Sequence, residues 1–426
     1  MIKLIQSKIE KFVSRQTLKN ISTLMGGTFI AAIIPIITAP IMSRLYEPKF
    51  YGVLGLYTSI TGLVGIIAYT NYAQAIMMTK EDEDSKQVVW FSLLISFIIS
   101  CISILIILCI SLFTNFITDS VVGHWLFFLP LSVFLNGVNY ILLIWANRIK
   151  NYKNLAFNRI IQALLTVLIQ ITIGILIKNE TGLMVGLLSG QLLSAFLLSL
   201  EFYFKRKIFY IGRPKFGHFK GIAIKYKDLV LYSTPSEFIN NFINQTPIFL
   251  LQKFGGTSYV GNFTFTQRFL GLPQLFLSSA IVDVFKQKAS EAYNHIGNCK
   301  AIFLKTFKVL TGLAIVPFLI SLFFAPQIFA FVFGNKWAEA GVFAQFLSVM
   351  YFFRFIVSPL TYVYFIAGKM KEDFFLHLLF LTLTTLSFYT GNYFLEDKRY
   401  LILIYAISYS LVYLIYFVRS YKFTTK

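Results

Sequence analysis

The sequence predicts an all-α integral membrane protein with about twelve transmembrane helices in two parallel-related six-helix lobes. Of its 426 residues, 57% are hydrophobic and 13% are charged, and the mean hydropathy of +0.71 lies far above that of soluble domains. Apolar runs of about 20 residues recur along the chain, the length that crosses a ~30 Å hydrocarbon core as a helix. The runs are continuously apolar, whereas strands of a membrane barrel alternate polar and apolar residues.

Two sets of six spans are predicted, and most are flanked by charged residues. Residues 21–204 form the first lobe, with spans 21–43, 51–78, 88–113, 125–145, 157–177 and 182–204. Residues 229–420 form the second, with spans 229–252, 257–285, 302–324, 340–366, 373–395 and 400–418. A basic linker, 205–228, joins the lobes, and 421–426 form a tail. Because each lobe has an even number of spans, both start on the same side of the membrane, and any repeat is parallel.

The distribution of Lys and Arg predicts the orientation. Most of the 38 basic residues fall in alternate loops when the N-terminus is placed in the cytoplasm, as the positive-inside rule requires. In this orientation the linker and the tail are both cytoplasmic. Residues 1–20 carry apolar side chains at three- and four-residue spacing, which predicts an amphipathic helix on the cytoplasmic leaflet. Both termini are therefore expected in the cytoplasm.

Several functional classes are disfavoured. The net charge of +20 gathers at one membrane face and is explained by anionic lipid headgroups, so no nucleic-acid partner is expected. The sequence lacks HExxH, GxSxG and a Gly-rich phosphate loop, and its three cysteines form no CxxC pair. We therefore expect no catalytic residues, no metal site and no cofactor, apart from H⁺ or Na⁺ as a possible coupling ion.

Two similar stretches support a weak internal repeat. "APIMSRLYEPKFYGVLGLYTS" (39–59) and "TPIFLLQKFGGTSYVGNFTFTQ" (246–267) both run from a proline through a short predicted outside loop to a Tyr and Gly that open the next helix. Eight of the eleven prolines fall within or at the ends of predicted spans, which fits either ordinary kinks in a static bundle or the bending helices of a transporter.

Three charged residues lie deeper inside predicted spans than any others. Arg268 and Arg354 are too deep to reach an interface easily, and Glu237 opens a polar stretch in the seventh span. They are explained either by a structural ion pair or by a water-filled, cationic cavity for an anionic substrate, since arginine binds phosphate bidentately. On the second interpretation Glu237 is the candidate ion-coupling residue. The candidate substrate-binding residues are Arg268, Arg354, Arg44, Asn71, Gln74, Asn240, Asn244 and Gln267.

Four stretches resemble one family. They are "PIMSRLYEPKFYGVLGLYTS", "AIMMTKEDEDSKQVVWFSLLIS", "ANRIKNYKNLAFNRI" and "FFAPQIFAFVFGNKWAEAG". In this order along the chain they are similar to the polysaccharide-exporter branch of the multidrug/oligosaccharidyl-lipid/polysaccharide (MOP) exporter superfamily, in particular Wzx-type O-antigen flippases. Relatives often carry an Asp near the outer end of helix seven where this chain reads "INQTPIF", so Glu237 would have to replace that carboxylate.

The resemblance implies a function. It implies two lobes around a central cavity with alternating access, and transport of an undecaprenyl-diphosphate-linked oligosaccharide to the outer leaflet for lipopolysaccharide or related polysaccharide biosynthesis. Expected partners are the lipid-linked oligosaccharide, membrane lipids, and a polysaccharide polymerase with its chain-length regulator. Two alternatives remain open: a multidrug/cation antiporter of the same fold, which a carboxylate-rich cavity would suit better, and a non-transporting membrane scaffold for glycan assembly.

Overall fold

The computed structural model describes residues 15–113, 122–204, 214 and 216–425. In these ranges the regular structure is helical apart from one isolated β-bridge between Asn298 and Thr425, which confirms the all-α class. Most of the predicted amphipathic segment 1–20 lies outside the described residues, as do residues 205–213 of the predicted linker.

The helices follow one another with short connections. In order they are α1 (Arg15–Ile37), α2 (Ala39–Leu45), α3 (Pro48–Tyr69), α4 (Tyr72–Met78), α5 (Asp82–Phe113), α6 (Gly123–Leu126), α7 (Leu129–Arg148), α8 (Tyr152–Leu176), α9 (Thr181–Phe204), α10 (Phe216–Lys225), α11 (Thr234–Phe254), α12 (Thr257–Leu270), α13 (Leu272–Ile296), α14 (Lys300–Phe333), α15 (Ala338–Leu360), α16 (Tyr362–Ile366), α17 (Met370–Phe394) and α18 (Tyr400–Lys422). A π-helical turn, Leu229–Ser233, precedes α11, and a 3₁₀ turn, Asn335–Trp337, precedes α15.

Ten helical segments of the described chain are long and apolar enough to cross a membrane, and twelve membrane helices are compatible with the fold. The seventh and eighth predicted spans are helical but outside that set. The seventh carries Glu237 and several amides in α11. The eighth is interrupted at Gly271, between α12 and α13. Four other predicted spans are also interrupted: at Thr38, at Thr70 with Asn71, at Phe127 with Phe128, and at Thr361.

The described fold divides into two compact units. Unit 1 comprises Met1–Leu45 and Tyr57–Asn241, and unit 2 comprises Tyr46–Leu56 and Phe242–Lys426. A core of α4, α5, α7 and α9 residues around the buried Trp145 forms part of unit 1. The boundary in the predicted linker stays a prediction, since the division by contacts falls within α11.

Arg148, at the end of α7, bonds to the end of α4 and to the start of α5. Its guanidinium donates to the backbone oxygens of Ile76 at 2.7 Å and Thr79 at 2.9 Å, and pairs with the carboxylate of Asp82 at 3.1 Å. It therefore satisfies carbonyls at the end of α4 that have no partner in the helix. This contact gives a structural reason for the basic segment "ANRIKNYKNLAFNRI" and for the acidic start of α5.

Two glycines allow a close crossing inside unit 2. A Cβ on Gly52 would collide with the carbonyl oxygen of Thr257, and a Cβ on Gly261 would collide with the carbonyl oxygen of Pro48. Only glycine lets the two backbones approach this closely. The two stretches that form the weak sequence repeat thus pack against each other through their matching glycines.

Aromatic rings fill the neighbouring core. The buried Trp337 stacks on Phe265, with ring centroids 4.0 Å apart, and meets the edge of Tyr51 at 5.2 Å. Gly334, which precedes the 3₁₀ turn that carries Trp337, has a φ of +93°. Such a φ favours glycine, which explains the "FGNKW" stretch in conformational terms.

The other end of unit 2 closes on the C-terminal residues. The backbone N–H of Cys299 donates to the carbonyl oxygen of Thr424 at 2.8 Å, and Phe423 packs on Tyr364 with centroids 5.3 Å apart. Cys299 is buried, and burial raises the pKa of its thiol.

We expect Cys299 to resist maleimide in a variant whose Cys101 and Cys109 are serine. Because the raised pKa keeps the thiol protonated, its rate of maleimide labelling should still increase with pH in a range where the labelling rate of an exposed cysteine no longer changes. Phe423→Ala should free the tail and speed labelling about tenfold or more, since such truncations cost roughly 3 kcal/mol. Rapid labelling of Cys299 with Phe423 intact would contradict the buried position.

Candidate functional site

A helix break in unit 1 aligns the first group of polar residues. α3 ends at Tyr69, Thr70 adopts a positive φ of 34°, and α4 starts at Tyr72. The interrupted backbone is held from α11, because the backbone N–H of Asn71 donates to the Thr234 hydroxyl at 3.2 Å and the Asn71 amide reaches the same oxygen at 3.4 Å. Asn71 is buried and supports the break.

Four side chains form a polar aromatic cluster beside this break, defined as Tyr69, Gln74, Tyr140 and Glu237. The Tyr69 hydroxyl donates to Glu237 Oε1 at 3.1 Å, and the Gln74 amide donates to the Tyr140 hydroxyl at 2.7 Å. The two tyrosine rings stack with centroids 4.0 Å apart and planes 26° apart. The structure thus brings together two predicted site residues, Gln74 and Glu237, from distant parts of the sequence of unit 1.

The polar aromatic cluster has the groups that bind a sugar. Glu237 is half-buried, and a carboxylate with one donor still has acceptor sites for hydroxyls. The Tyr140 hydroxyl accepts from Gln74 and retains its own proton to donate. The stacked rings add an apolar face against which sugar C–H groups can pack. Carboxylate oxygens can also bind a cation.

Unit 2 places Arg354 in a tyrosine cage, defined as Tyr351, Tyr405, Tyr409 and Tyr413. The guanidinium carbon lies 5.6 Å from the Tyr351 ring centroid, within cation–π range. The other three tyrosines are buried on α18, at four-residue spacing, and interact electrostatically with the same charge. α15 and α18 pack against each other and so create the cage.

The tyrosine cage leaves the charge of Arg354 uncompensated within its unit. No carboxylate in the described part of unit 2 lies within 4 Å of this guanidinium. Neutral tyrosines stabilise the cation through their rings and hydroxyls but do not cancel its charge. A half-buried guanidinium in such surroundings can bind an anion strongly, because little water competes for it.

Arg268 occupies a different environment. It lies in the last turn of α12, directly before the break at Gly271, and its side chain is exposed. Its guanidinium carbon is 5.9 Å from the ring of the buried Tyr51. A cation is favourable at the carboxyl end of a helix, so the position of Arg268 has a local explanation in addition to any ligand.

The remaining predicted residues are spread along the chain. Arg44, Asn240 and Asn244 are exposed, and Gln267 is half-buried. Asn240 lies about one turn after Glu237 on α11, so these two share a helix face. Arg44 lies in the last turn of α2. All of these assignments stay predictions.

Sequence reasoning missed the aromatic residues of both groups. The stripe Tyr405, Tyr409 and Tyr413 is visible as a four-residue repeat in "YAISYSLVY", and that spacing predicts one helix face. Tyr69 and Tyr140 give no such signal, because only the fold brings their rings together.

Acidic and histidine side chains in the described ranges form no group suited to a metal ion. His377 forms hydrogen bonds within the protein: its Nδ1 lies 2.9 Å from the backbone oxygen of Asp373 and 3.0 Å from the Tyr416 hydroxyl. It is a hydrogen-bonded contact between α17 and α18.

A family model described as "Polysaccharide biosynthesis protein" matches residues 41–342, more than half of the chain. The chain belongs to this family. No curated protein is similar enough to the sequence to count as a match.

Solved structures show the fold of this polysaccharide biosynthesis protein. An inward-facing multidrug resistance MATE transporter of the MOP superfamily covers 94% of this chain and 93% of its own, with a TM-score of 0.67 at 14% identity. A MOP-superfamily transporter from Pyrococcus furiosus, described as having a reversed polarity of its binding pocket, covers 94% of both chains, with a TM-score of 0.60 at 14% identity. The MATE multidrug transporter DinF-BH covers 96% of both chains, with a TM-score of 0.63 at 15% identity.

At such identities the likeness shows the fold alone. The helical architecture is that of MOP-superfamily transporters, and the family is one of polysaccharide biosynthesis. Together with the ten apolar helical segments, they describe a multi-pass membrane protein of this family that has the fold of MOP-superfamily transporters.

Proposed function

We propose that this protein is a flippase that moves an undecaprenyl-diphosphate-linked oligosaccharide, an O-antigen or related repeat unit, from the inner to the outer leaflet of a bacterial cytoplasmic membrane. The observation that carries the proposal is Arg354 in its tyrosine cage, a membrane-embedded cation without a carboxylate partner in the described part of its unit. A diphosphate is the anionic part of such a substrate. Family and fold support the same assignment.

In this proposal the two groups of side chains bind different parts of the substrate. Arg354, with Arg268, holds the diphosphate, while the polar aromatic cluster of Tyr69, Gln74, Tyr140 and Glu237 binds sugar hydroxyls. Glu237 also takes the coupling ion, H⁺ or Na⁺, so that ion binding and sugar contact share one carboxylate. Both termini lie in the cytoplasm, and the lipid tail stays in the bilayer during transport.

Complementation tests the function. The natural sequence is expressed in bacterial strains that lack their own O-antigen flippase, and surface glycan is measured at verified membrane abundance. Restored surface glycan supports the proposal. Resistance to cationic drugs without any restored glycan would favour a multidrug antiporter instead. Failure to restore either glycan or drug resistance would favour a non-transporting scaffold, whereas glycan restored equally by a variant with Arg354, Arg268 and Glu237 neutralised would mean that these residues do not hold the substrate.

Tyr69→Phe tests the polar aromatic cluster. It keeps the ring stack with Tyr140 but removes the hydrogen bond to Glu237, and a bond to a charged group is worth ~1.5–3 kcal/mol. We expect glycan export to fall about tenfold. Tyr72→Phe is the matched control, because it removes a hydroxyl bonded to the backbone oxygen of Ala223 outside the cluster. Equal export by both variants would remove Tyr69 from the site.

A further inference from the structure

A second site lies in unit 2, where α13 meets the end of α15. A cavity of about 320 Å³ is lined by Gln274, Val282, Lys286, Ser358, Pro359, Thr361 and Tyr362. This volume lies at the lower end of the range of small-molecule sites. None of these residues belongs to the tyrosine cage or the polar aromatic cluster.

The cavity exists because two helices are interrupted beside it. α13 starts at Leu272 after the break at Gly271, and α15 ends at Leu360, one residue after Pro359. The Thr361 hydroxyl donates to the Ser358 carbonyl at 2.8 Å and so satisfies an oxygen freed by the break. The Ser358 hydroxyl and the Tyr362 hydroxyl have no hydrogen-bond partner among the described residues, so both can serve a ligand.

Lys286 supplies the charge. Its ammonium nitrogen lies 5.1 Å from the Tyr362 ring centroid, and no carboxylate in the part of the chain described lies within ion-pair distance. Asp283 lies one turn earlier on α13, but it is exposed and does not pair with Lys286. The cavity therefore combines one unneutralised cation with hydroxyl donors, the chemistry that binds phosphate oxygens.

The depth of the cavity fits a lipid headgroup. Lys286 follows directly after the end of the predicted eighth span, 257–285, on the side predicted to be cytoplasmic. Ser358 lies one turn beyond Arg354 on α15, about 6 Å along the helix toward the same predicted side. The cavity is thus at the level where the diphosphate of a lipid in the inner leaflet would lie, and Arg354 is the next cation inward.

We propose that the Lys286 cavity is a capture site for the prenyl diphosphate headgroup, which it holds before the anion reaches Arg354. This proposal rests on the proposed function, and it adds a second anion-binding position with its own residues. Free pyrophosphate and the headgroup of an anionic lipid share part of this chemistry, so the test distinguishes them.

The test is binding of farnesyl diphosphate to the full-length protein in nanodiscs of phosphatidylcholine. We expect Lys286→Gln to weaken binding at least tenfold and Lys286→Arg to weaken it less than threefold. Lys288→Gln is the control, because Lys288 is exposed on the same helix and does not line the cavity. Ser358→Leu, which fills the cavity without changing charge, should also weaken binding tenfold, and melting temperatures verify that each variant is folded.

Three outcomes would overturn the proposal. In the first, Lys286→Gln and Ser358→Leu bind as the natural protein does while Arg354→Gln does not, which removes this cavity but leaves the flippase intact. In the second, phosphatidylglycerol in the nanodisc or inorganic pyrophosphate competes as well as farnesyl diphosphate, which marks a general anion site. In the third, the natural protein binds no prenyl diphosphate, which overturns the proposed function as well.

Discussion

Replacing Arg354 by glutamine is expected to lower glycan export about tenfold or more at matched membrane abundance. The substitution keeps hydrogen-bond donors in the tyrosine cage but removes the positive charge, and a charge-assisted bond to a phosphate is worth ~1.5–3 kcal/mol. Arg354→Lys keeps the charge but loses the planar fork, and we expect it to retain an intermediate rate. Surface glycan per unit of membrane protein is the measurement.

The control for this prediction is Arg399→Gln. Arg399 lies in the exposed connection before α18 and pairs with Asp397 there, so losing it changes the same residue type outside the cage. We expect its export to match that of the natural protein. If Arg354→Gln exports normally while keeping its melting temperature, the guanidinium serves only the packing of α15 on α18.

Gly261→Val is expected to give the largest loss of stability. A side chain at this position meets the backbone of Pro48 and Gly52 rather than a movable side chain, so the crossing of α12 with the start of α3 must open. Overpacking of this kind costs about 3 kcal/mol or more. The melting temperature of the purified protein should fall by roughly 5 to 10 °C.

Gly65→Val and Gly65→Ala provide the comparison. Gly65 also lies within a helix, α3, but a Cβ there would meet nothing within 4 Å. We expect Gly65→Ala to leave the melting temperature unchanged or to raise it, because alanine loses less backbone entropy than glycine. Similar losses at Gly65 and Gly261 would mean that helix propensity, not the close crossing, governs both positions.

The candidate groups show where sequence reasoning reaches its limit. Arg354 and Glu237 stand out in sequence because a charge in an apolar run has few explanations. Their neighbours do not stand out. Tyr69 and Tyr140 are ordinary residues in apolar helices, and Glu237 is 168 residues from the hydroxyl that binds it. The tyrosine stripe of α18 is periodic, but its partner could be any helix.

Helix breaks are a second feature that sequence reasoning did not predict. The sequence predicts continuous spans at 51–78, 257–285 and 340–366, and the structure interrupts them at Thr70, Gly271 and Thr361. Gly271 and Pro359 indicate possible breaks, but hydropathy averages over them. Thr70 carries no such signal: its φ is positive, and the next residue, Asn71, bonds to Thr234, which is far away in the sequence.

Hydropathy and the spacing of apolar runs are enough to establish a helical membrane protein, because both are properties of local segments that the bilayer selects independently. They also single out the charges that demand an explanation. Which side chains meet those charges depends on the packing of helices: tyrosines surround Arg354, Tyr69 binds Glu237, and a cavity forms at Lys286. These contacts join residues distant in the chain, so no local preference of the sequence could have specified them.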